Sequence, residues 1–107
     1  MHPLLLLFTL SYPLYGGYST VEQVTSVHND VLDRAFPLVR NLMNVGGNNI
    51  LLEKEIEEVA QRVTNGNNLA FRLKGGVCFE TYEAFDGSDF AIINVKSCKT
   101  VGDLISR

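Results

Sequence analysis

The 107-residue sequence contains no tryptophan and only two cysteines, and it lacks both a long apolar run and an excess of basic residues. Nine basic side chains stand against twelve acidic ones, so the net charge is −3 and no basic surface is available to neutralise nucleic-acid phosphates. The longest apolar run, residues 4–8, is far shorter than the roughly 20 residues that span a bilayer. We therefore expect neither a nucleic-acid partner nor a membrane-spanning segment.

The composition is typical of one small folded domain, with 46% hydrophobic and 20% charged residues. Residues 4–10 resemble the apolar core of a secretory signal, although no Lys or Arg precedes them and no A-x-A cleavage site follows. We interpret residues 1–15 as a signal-like leader and residues 16–107 as a single domain, which predicts a secreted protein. The alternative is an apolar N-terminal arm that packs on the domain.

Residues 26–43 form the clearest helical pattern. Pro37 lies inside it and predicts a kink or a break into two pieces. Ser26 or Asn29 is the expected cap, and His28 is expected on the surface. The predicted buried stripe consists of Val27, Val31, Ala35, Leu38 and Leu42, widened by Leu32, Phe36 and Val39.

Residues 50–64 carry two conflicting signals. The segment is rich in Glu, Lys and Gln, which are good helix formers, and its apolar residues also fit a helical stripe. Residues 59–64 equally alternate with a period of two, as in a strand. Local propensity favours the helix.

The remainder reads as strands separated by turns. Turn signals occur at residues 65–68, at Gly75-Gly76, where we expect a two-residue hairpin turn, and at residues 86–89. Alternating segments at residues 69–74, 77–85 and 90–98 predict strands, and residues 104–105 a short edge strand. The predicted outline is an α+β domain, with one helix followed by an antiparallel meander.

The two cysteines support one of these hairpins. Cys78 and Cys98 are centred on residue 88, inside the predicted turn at residues 86–89, so a hairpin around that turn places them almost directly opposite each other. Opposed residues in an antiparallel pair are close enough for a disulfide. We predict a Cys78–Cys98 disulfide, with two free buried thiols as the alternative.

No pattern typical of catalysis or metal binding occurs, such as HExxH, CxxC, GxSxG or a P-loop. The acidic cluster Glu53, Glu55, Glu57 and Glu58 is expected to be a solvated face, with paired catalytic carboxylates as the weaker alternative. Its spacing is not that of an EF-hand calcium loop. We therefore expect a binding protein without a cofactor or metal, and a small enzyme is the weakest hypothesis.

The order of these features resembles the cystatins, a family of inhibitors of papain-like cysteine proteases. A glycine pair precedes a long helix, a Gln-x-Val turn follows, and a hairpin is closed by two cysteines. The resemblance implies a long N-terminal helix packed across an antiparallel sheet of four to five strands. It also implies that residues 57–64 are a strand paired with residues 69–74, and that the protein is a monomer.

The resemblance also implies a protease-binding edge formed by an N-terminal trunk and two hairpin loops, which together plug the protease cleft as a wedge. Residues 61–67 resemble the family's Gln-x-Val-x-Gly loop, with Asn65 at the glycine position or one residue inserted before Gly66. The implied protease-binding residues are Gly16 and Gly17 in the trunk, Gln61, Arg62, Val63, Thr64, Asn65 and Gly66 in the first loop, and Asp86 and Gly87 in the second.

Two departures from the family bear on function. Asp86-Gly87 stands where the family carries Pro-Trp, and a central tryptophan is often worth about 2 kcal/mol or more in an interface. The first disulfide of secreted cystatins has no counterpart. The first hypothesis is a secreted reversible inhibitor of papain-like, cathepsin-type proteases. The alternative is a cystatin-fold binding or immune-modulating module that does not inhibit proteases.

Overall fold

The structure is a computed structural model that describes residues 17–21, 23–45 and 52–105. The predicted leader and Gly16 lie outside the described residues. The elements, in chain order, are β1 (Ser19–Thr20), α1 (Ser26–Val45), β2 (Ile56–Val63), β3 (Gly66–Leu73), β4 (Val77–Ala84), β5 (Phe90–Ser97) and α2 (Val101–Ile105). The strands form one antiparallel sheet in the order β1-β2-β3-β4-β5. The predicted α+β class and the helix on an antiparallel meander are confirmed.

The start of α1 is built differently from the prediction, because Thr25 is the cap rather than Ser26 or Asn29. The Thr25 carbonyl accepts the backbone N–H of Asn29 (3.2 Å), and the Thr25 N–H donates to Nδ1 of His28 (2.9 Å). His28 thus occupies the place that Glu or Gln takes in a capping box. The ring is only 8% exposed, so its predicted surface position is wrong.

The helix buries a face that is rotated from the predicted stripe. Val27, Leu38 and Leu42 are exposed, because they lie on one flank of the face that meets the sheet. The helix also continues through Pro37, so the predicted break is wrong. Pro37 lies on the solvent side, where the carbonyl that it leaves without an amide partner can be hydrated. The residues that α1 buries are His28, Val31, Leu32, Ala35, Phe36, Val39 and Met43.

Residues 56–63 form a strand, so the helix favoured by local propensity is wrong there and the reading implied by the resemblance is confirmed. Val59 pairs with Phe71 and Ala60 with Ala70, and all four side chains are fully buried or nearly so. Tertiary pairing and burial therefore override the helix propensity of the glutamates.

The turns are shifted from their predicted positions. The first hairpin turns at Thr64 and Asn65, so Gly66, Asn67 and Asn68 belong to β3 rather than to the loop. The next connection spans residues 74–76, one residue longer than predicted, with both of its glycines at positive φ. Phe85 lies beyond the end of β4 rather than inside the strand, and β5 ends at Ser97.

The sheet is covered on both faces. One face carries Leu69, Phe71 and Phe79, packs against α1 and forms the larger apolar cluster. The predicted edge strand at residues 104–105 is instead part of α2, which covers the opposite face. There, Tyr18, Ala60, Ala70 and Cys78 pack against Val101, Leu104 and Ile105.

Short polar contacts fix α2. The Thr100 hydroxyl accepts the N–H of Asp103, whose carboxylate accepts the N–H of Thr100, as in a capping box. Glu58 accepts the N–H of Val101 at 2.9 Å. This glutamate of the predicted solvated cluster therefore anchors a helix. Within the described ranges, neither helix has the length and apolar character needed to cross a membrane.

The Cys78–Cys98 disulfide is present, which confirms the predicted bond, but the two residues are not directly opposite. Cys78 pairs with Lys96, so Cys98 is its diagonal neighbour, with a Cα–Cα distance of 5.9 Å. The register shifts at a bulge between Glu80↔Ile93 and Phe79↔Val95, which leaves Asn94 as the extra residue at φ 60°. Without this bulge, Cys98 would lie on the other face of the sheet.

The bulge requires a left-handed backbone conformation at residue 94, and substitutions there can test this requirement. Asn tolerates the left-handed conformation, glycine adopts it freely, and a β-branched residue is strained there. We expect Asn94→Val to lower the free energy of unfolding by about 1–2 kcal/mol and Asn94→Gly to change it by a few tenths. Urea unfolding of the oxidised proteins measures both. A valine variant as stable as the glycine variant would contradict this account.

His28 makes stability depend on pH. Burial lowers the pKa of its imidazole below the ordinary value of 6.5, so the unfolded chain binds more protons than the folded one as the pH falls through that value. The free energy of unfolding should therefore decrease between about pH 7 and about pH 5.5. His28→Gln keeps a side-chain acceptor for the Thr25 N–H and does not titrate, so its decrease should be smaller. Equal decreases in urea unfolding would refute the assignment.

Candidate functional site

Three predicted binding segments meet at one end of the sheet. Gly66 pairs with Ala84, so the β2–β3 loop (residues 64–65, the first loop) lies beside the β4–β5 loop (residues 85–89, the second loop). Ser19 pairs with Gln61, so the chain before β1 runs toward the same end. We call this end of the sheet the loop edge. It brings together Gly17, the first loop and the second loop.

The first loop is held by side chains on neighbouring strands. The Tyr82 hydroxyl donates to the Asn65 carbonyl (3.2 Å), and the Thr64 hydroxyl donates to Oδ1 of buried Asn68 (3.1 Å). Val63 is on the face that α1 covers, but it lies beyond the helix and is 57% exposed. The loop therefore presents an apolar side chain on a backbone that is already fixed.

Gly66 allows the two hairpins to approach closely. A Cβ placed on it would lie 2.5 Å from the Glu83 carbonyl oxygen and 2.5 Å from a ring carbon of Tyr82. No side chain fits at these distances, so glycine is required here for packing. It is a structural residue at the base of the first loop, since it is buried, rather than a contact residue at its tip.

The second loop is a tight turn with an exposed aromatic residue. The Gly87 N–H donates to the Ala84 carbonyl (2.9 Å), and Gly87 adopts φ +75°. Asp86 Oδ1 accepts the Ser88 N–H (2.9 Å), and its hydrogen bonds with Ser88 lower the pKa of the Asp86 carboxyl. Phe85 is 63% exposed and lies in this loop, although the alternating pattern had placed it inside the strand at residues 77–85. The turn signal at residues 86–89, moved one residue earlier, would have placed it in the loop.

The N-terminal segment is anchored on the face of the sheet opposite α1. Tyr18 is 2% exposed, and its hydroxyl donates to Oε2 of buried Glu80 (3.2 Å). The Arg62 guanidinium lies 4.7 Å from the centre of the Tyr18 ring, and its side chain packs against Gly17. Arg62 therefore lies on the face of the sheet opposite α1, and its role is to hold the trunk.

An ion pair joins α1 to the strand that leads into the second loop. Arg34 donates two hydrogen bonds to Glu83, at 2.7 and 2.8 Å, and its guanidinium stacks on the Phe90 ring. The bonds to Arg34 lower the pKa of the Glu83 carboxyl and raise that of Arg34. The ion pair therefore holds β4 against the helix just before the second loop.

The predicted site residues thus divide into three groups. Val63, Thr64, Asn65, Asp86 and Gly87 form the exposed loop edge. Gln61 is exposed one step behind it, as is Gly17 in the trunk, while Arg62 and Gly66 have supporting roles. Phe85 was not among the predicted contacts, yet it is the most exposed aromatic of the described residues at this edge. In the described part of the chain, no group of three or more His, Cys, Asp or Glu side chains could hold a metal ion.

Comparison with known proteins yields no match, whether to a family model, to a curated protein or to a solved structure.

The close contact of Gly66 with Glu83 and Tyr82 can be tested by measuring the free energy of unfolding of variants. Gly66→Ala forces a Cβ against backbone and a ring, and overpacking of this kind should cost about 2 kcal/mol or more. Gly87→Ala is the matched control, because Gly87 has a positive φ but nothing within 4 Å of an added Cβ, so only about 1 kcal/mol of backbone strain is expected. Urea unfolding compares the two. If both variants lost the same free energy of unfolding, the packing around Gly66 would not be what requires glycine there.

Proposed function

We propose that this chain is a cystatin-like, secreted, reversible inhibitor of papain-like cysteine proteases of the cathepsin type. It acts by inserting the loop edge into the active-site cleft. The observation that carries the proposal is the placement of two fixed loops side by side, each with an exposed apolar side chain. Val63 is the last residue of β2, next to the first loop, and Phe85 is the first residue of the second loop. A long N-terminal helix packed on a five-stranded antiparallel sheet is compatible with the resemblance, and the disulfide fits an extracellular protein.

The physical case rests on preorganisation. Binding costs less when loops are already ordered in the free protein, since less conformational freedom is lost. Tyr82 fixes the first loop through the Asn65 carbonyl, and the Asp86–Ser88 hydrogen bond tightens the second. An exposed aromatic residue on such a turn is the kind of side chain that dominates interface energies. Phe85 therefore supplies part of the anchor that the missing tryptophan would provide.

A second candidate is a binding module of the same fold that does not inhibit proteases. The acidic second loop favours it, because Asp86 stands at the position where the cystatins carry an uncharged Pro-Trp pair, and Asp89 follows in the same loop. The Asp86 carboxylate is exposed in this loop, so polar or basic groups on a partner fit it better than apolar ones. The two candidates differ in whether a protease cleft accepts this loop.

Titration of papain or a cathepsin with the oxidised protein separates the candidates. The inhibitor proposal predicts loss of peptidase activity at micromolar concentration, without cleavage of the inhibitor, and recovery of activity on dilution. Full activity with micromolar protein present would reject it and favour the binding module.

Variants then test the loop edge itself. Val63→Asp should abolish inhibition, because it places a charge in an apolar contact. Phe85→Ala should weaken inhibition about 30-fold, the effect of losing about 2 kcal/mol. Val45→Asp is the matched control, since Val45 is 82% exposed at the end of α1 remote from the loop edge. Inhibition that survives Val63→Asp would place the site elsewhere.

A further inference from the structure

A cleft of about 250 Å³ opens behind the loop edge, between the first turns of α1 and the sheet. Its aliphatic walls are Val27, Val31 and Leu69. This volume suits a group of about the size of one amino-acid residue, below the usual range for drug-sized ligands. The polar groups that line it are His28, Gln61, Asn67, Thr81 and Glu83.

The hydrogen bond at the start of α1 fixes the tautomer of His28. Nδ1 accepts the Thr25 N–H at 2.9 Å, so it carries no proton, and the neutral ring must hold its proton on Nε2. Among the residues that the structure describes, Thr25 is the only hydrogen-bond partner of this ring. The imidazole therefore holds an N–H donor on Nε2, and its residue lines the cleft.

Two further features limit what the cleft accepts. Thr81 is 1% exposed, and its hydroxyl makes no hydrogen bond to any described residue, so it offers a second donor. Both oxygens of Glu83 accept hydrogen bonds from Arg34, so this carboxylate is neutralised. A neutral ligand with an acceptor oxygen and a branched aliphatic body matches these groups, whereas a charged ligand gains no ion pair.

We propose that this cleft is a binding site for an aliphatic amide, the chemistry of a leucine or valine residue in a peptide. The amide carbonyl accepts from Nε2 of His28 and from the Thr81 hydroxyl. The branched side chain packs between Val27, Val31 and Leu69. Two sources share this chemistry, a free small amide and a segment of a peptide chain. The site does not depend on protease inhibition.

Titration of the isotope-labelled full chain with N-acetyl-leucinamide, followed by amide NMR, tests the site. We expect saturable shifts at the cleft residues with a Kd on the order of 1 mM, the affinity that a ligand of this size can reach. N-acetyl-glycinamide, which lacks the aliphatic group, should bind at least tenfold more weakly. A leucine-centred tripeptide amide that binds more tightly identifies a peptide as the source, and equal binding identifies the free amide. Absence of saturable shifts, or equal shifts with the glycine compound, overturns the proposal.

Two variants locate the ligand. Val27→Glu places a charge at the mouth of the cleft and should weaken binding at least tenfold. Val27 is exposed, so the fold should persist, and Val45→Glu on the far end of the same helix is the matched control. Thr81→Val keeps the shape and removes the hydroxyl, and should weaken binding about fivefold. Unchanged binding in the Val27 variant would place the ligand outside the cleft.

Discussion

The rest of the structure depends on β3, the central strand, which is buried on both faces. Phe71 and Phe79 stack with their ring centres 5.0 Å apart under α1, while Ala70 is buried beneath α2 on the other side. A one-residue slip of β3 would exchange these two sets of side chains, so its register is fixed by burial. Because β2 and β4 pair with β3, this register also sets where both loops begin.

The face of the sheet opposite α1 packs closely because its central side chains are small. Ala60 and Ala70 face Tyr18 and α2, and they allow both elements to lie close to the sheet. The disulfide belongs to this layer, since Cys78 packs in the same cluster. Packing in this layer holds the first and last described segments on the sheet, because it buries Tyr18 at the end of the trunk and α2 after the last strand. The same sheet thus packs against α1 on one face and against Tyr18 and α2 on the other.

The sequence predicted the helix and the meander because their periodicities are long and regular. It did not predict which side of the helix faces the sheet. Val27, Leu38 and Leu42 fit a helical stripe as well as the buried residues do, and only the position of the sheet shows that they lie on its flank. In β2, the glutamates suit a helix, and the decisive contacts come from Ala70 and Phe71 on another strand. Cysteine spacing located the hairpin, yet the diagonal pairing depends on the bulge at Asn94, which no pattern in the strand indicates.

The sequence predicted where the loop edge lies, but it predicted only some of the residues that are exposed there. Motif spacing located both loops, whereas the inward roles of Arg62 and Gly66 depend on contacts with Tyr18 and Tyr82 that cross between strands. Phe85 was assigned to the strand because the alternation of apolar and polar residues continues one residue past Ala84, where β4 ends. That error bears on the proposed function, because the missing tryptophan was the main argument against strong protease inhibition. Phe85 and Val63 give the proposed edge two exposed apolar side chains, and loops that are already ordered by hydrogen bonds lose less conformational freedom on binding.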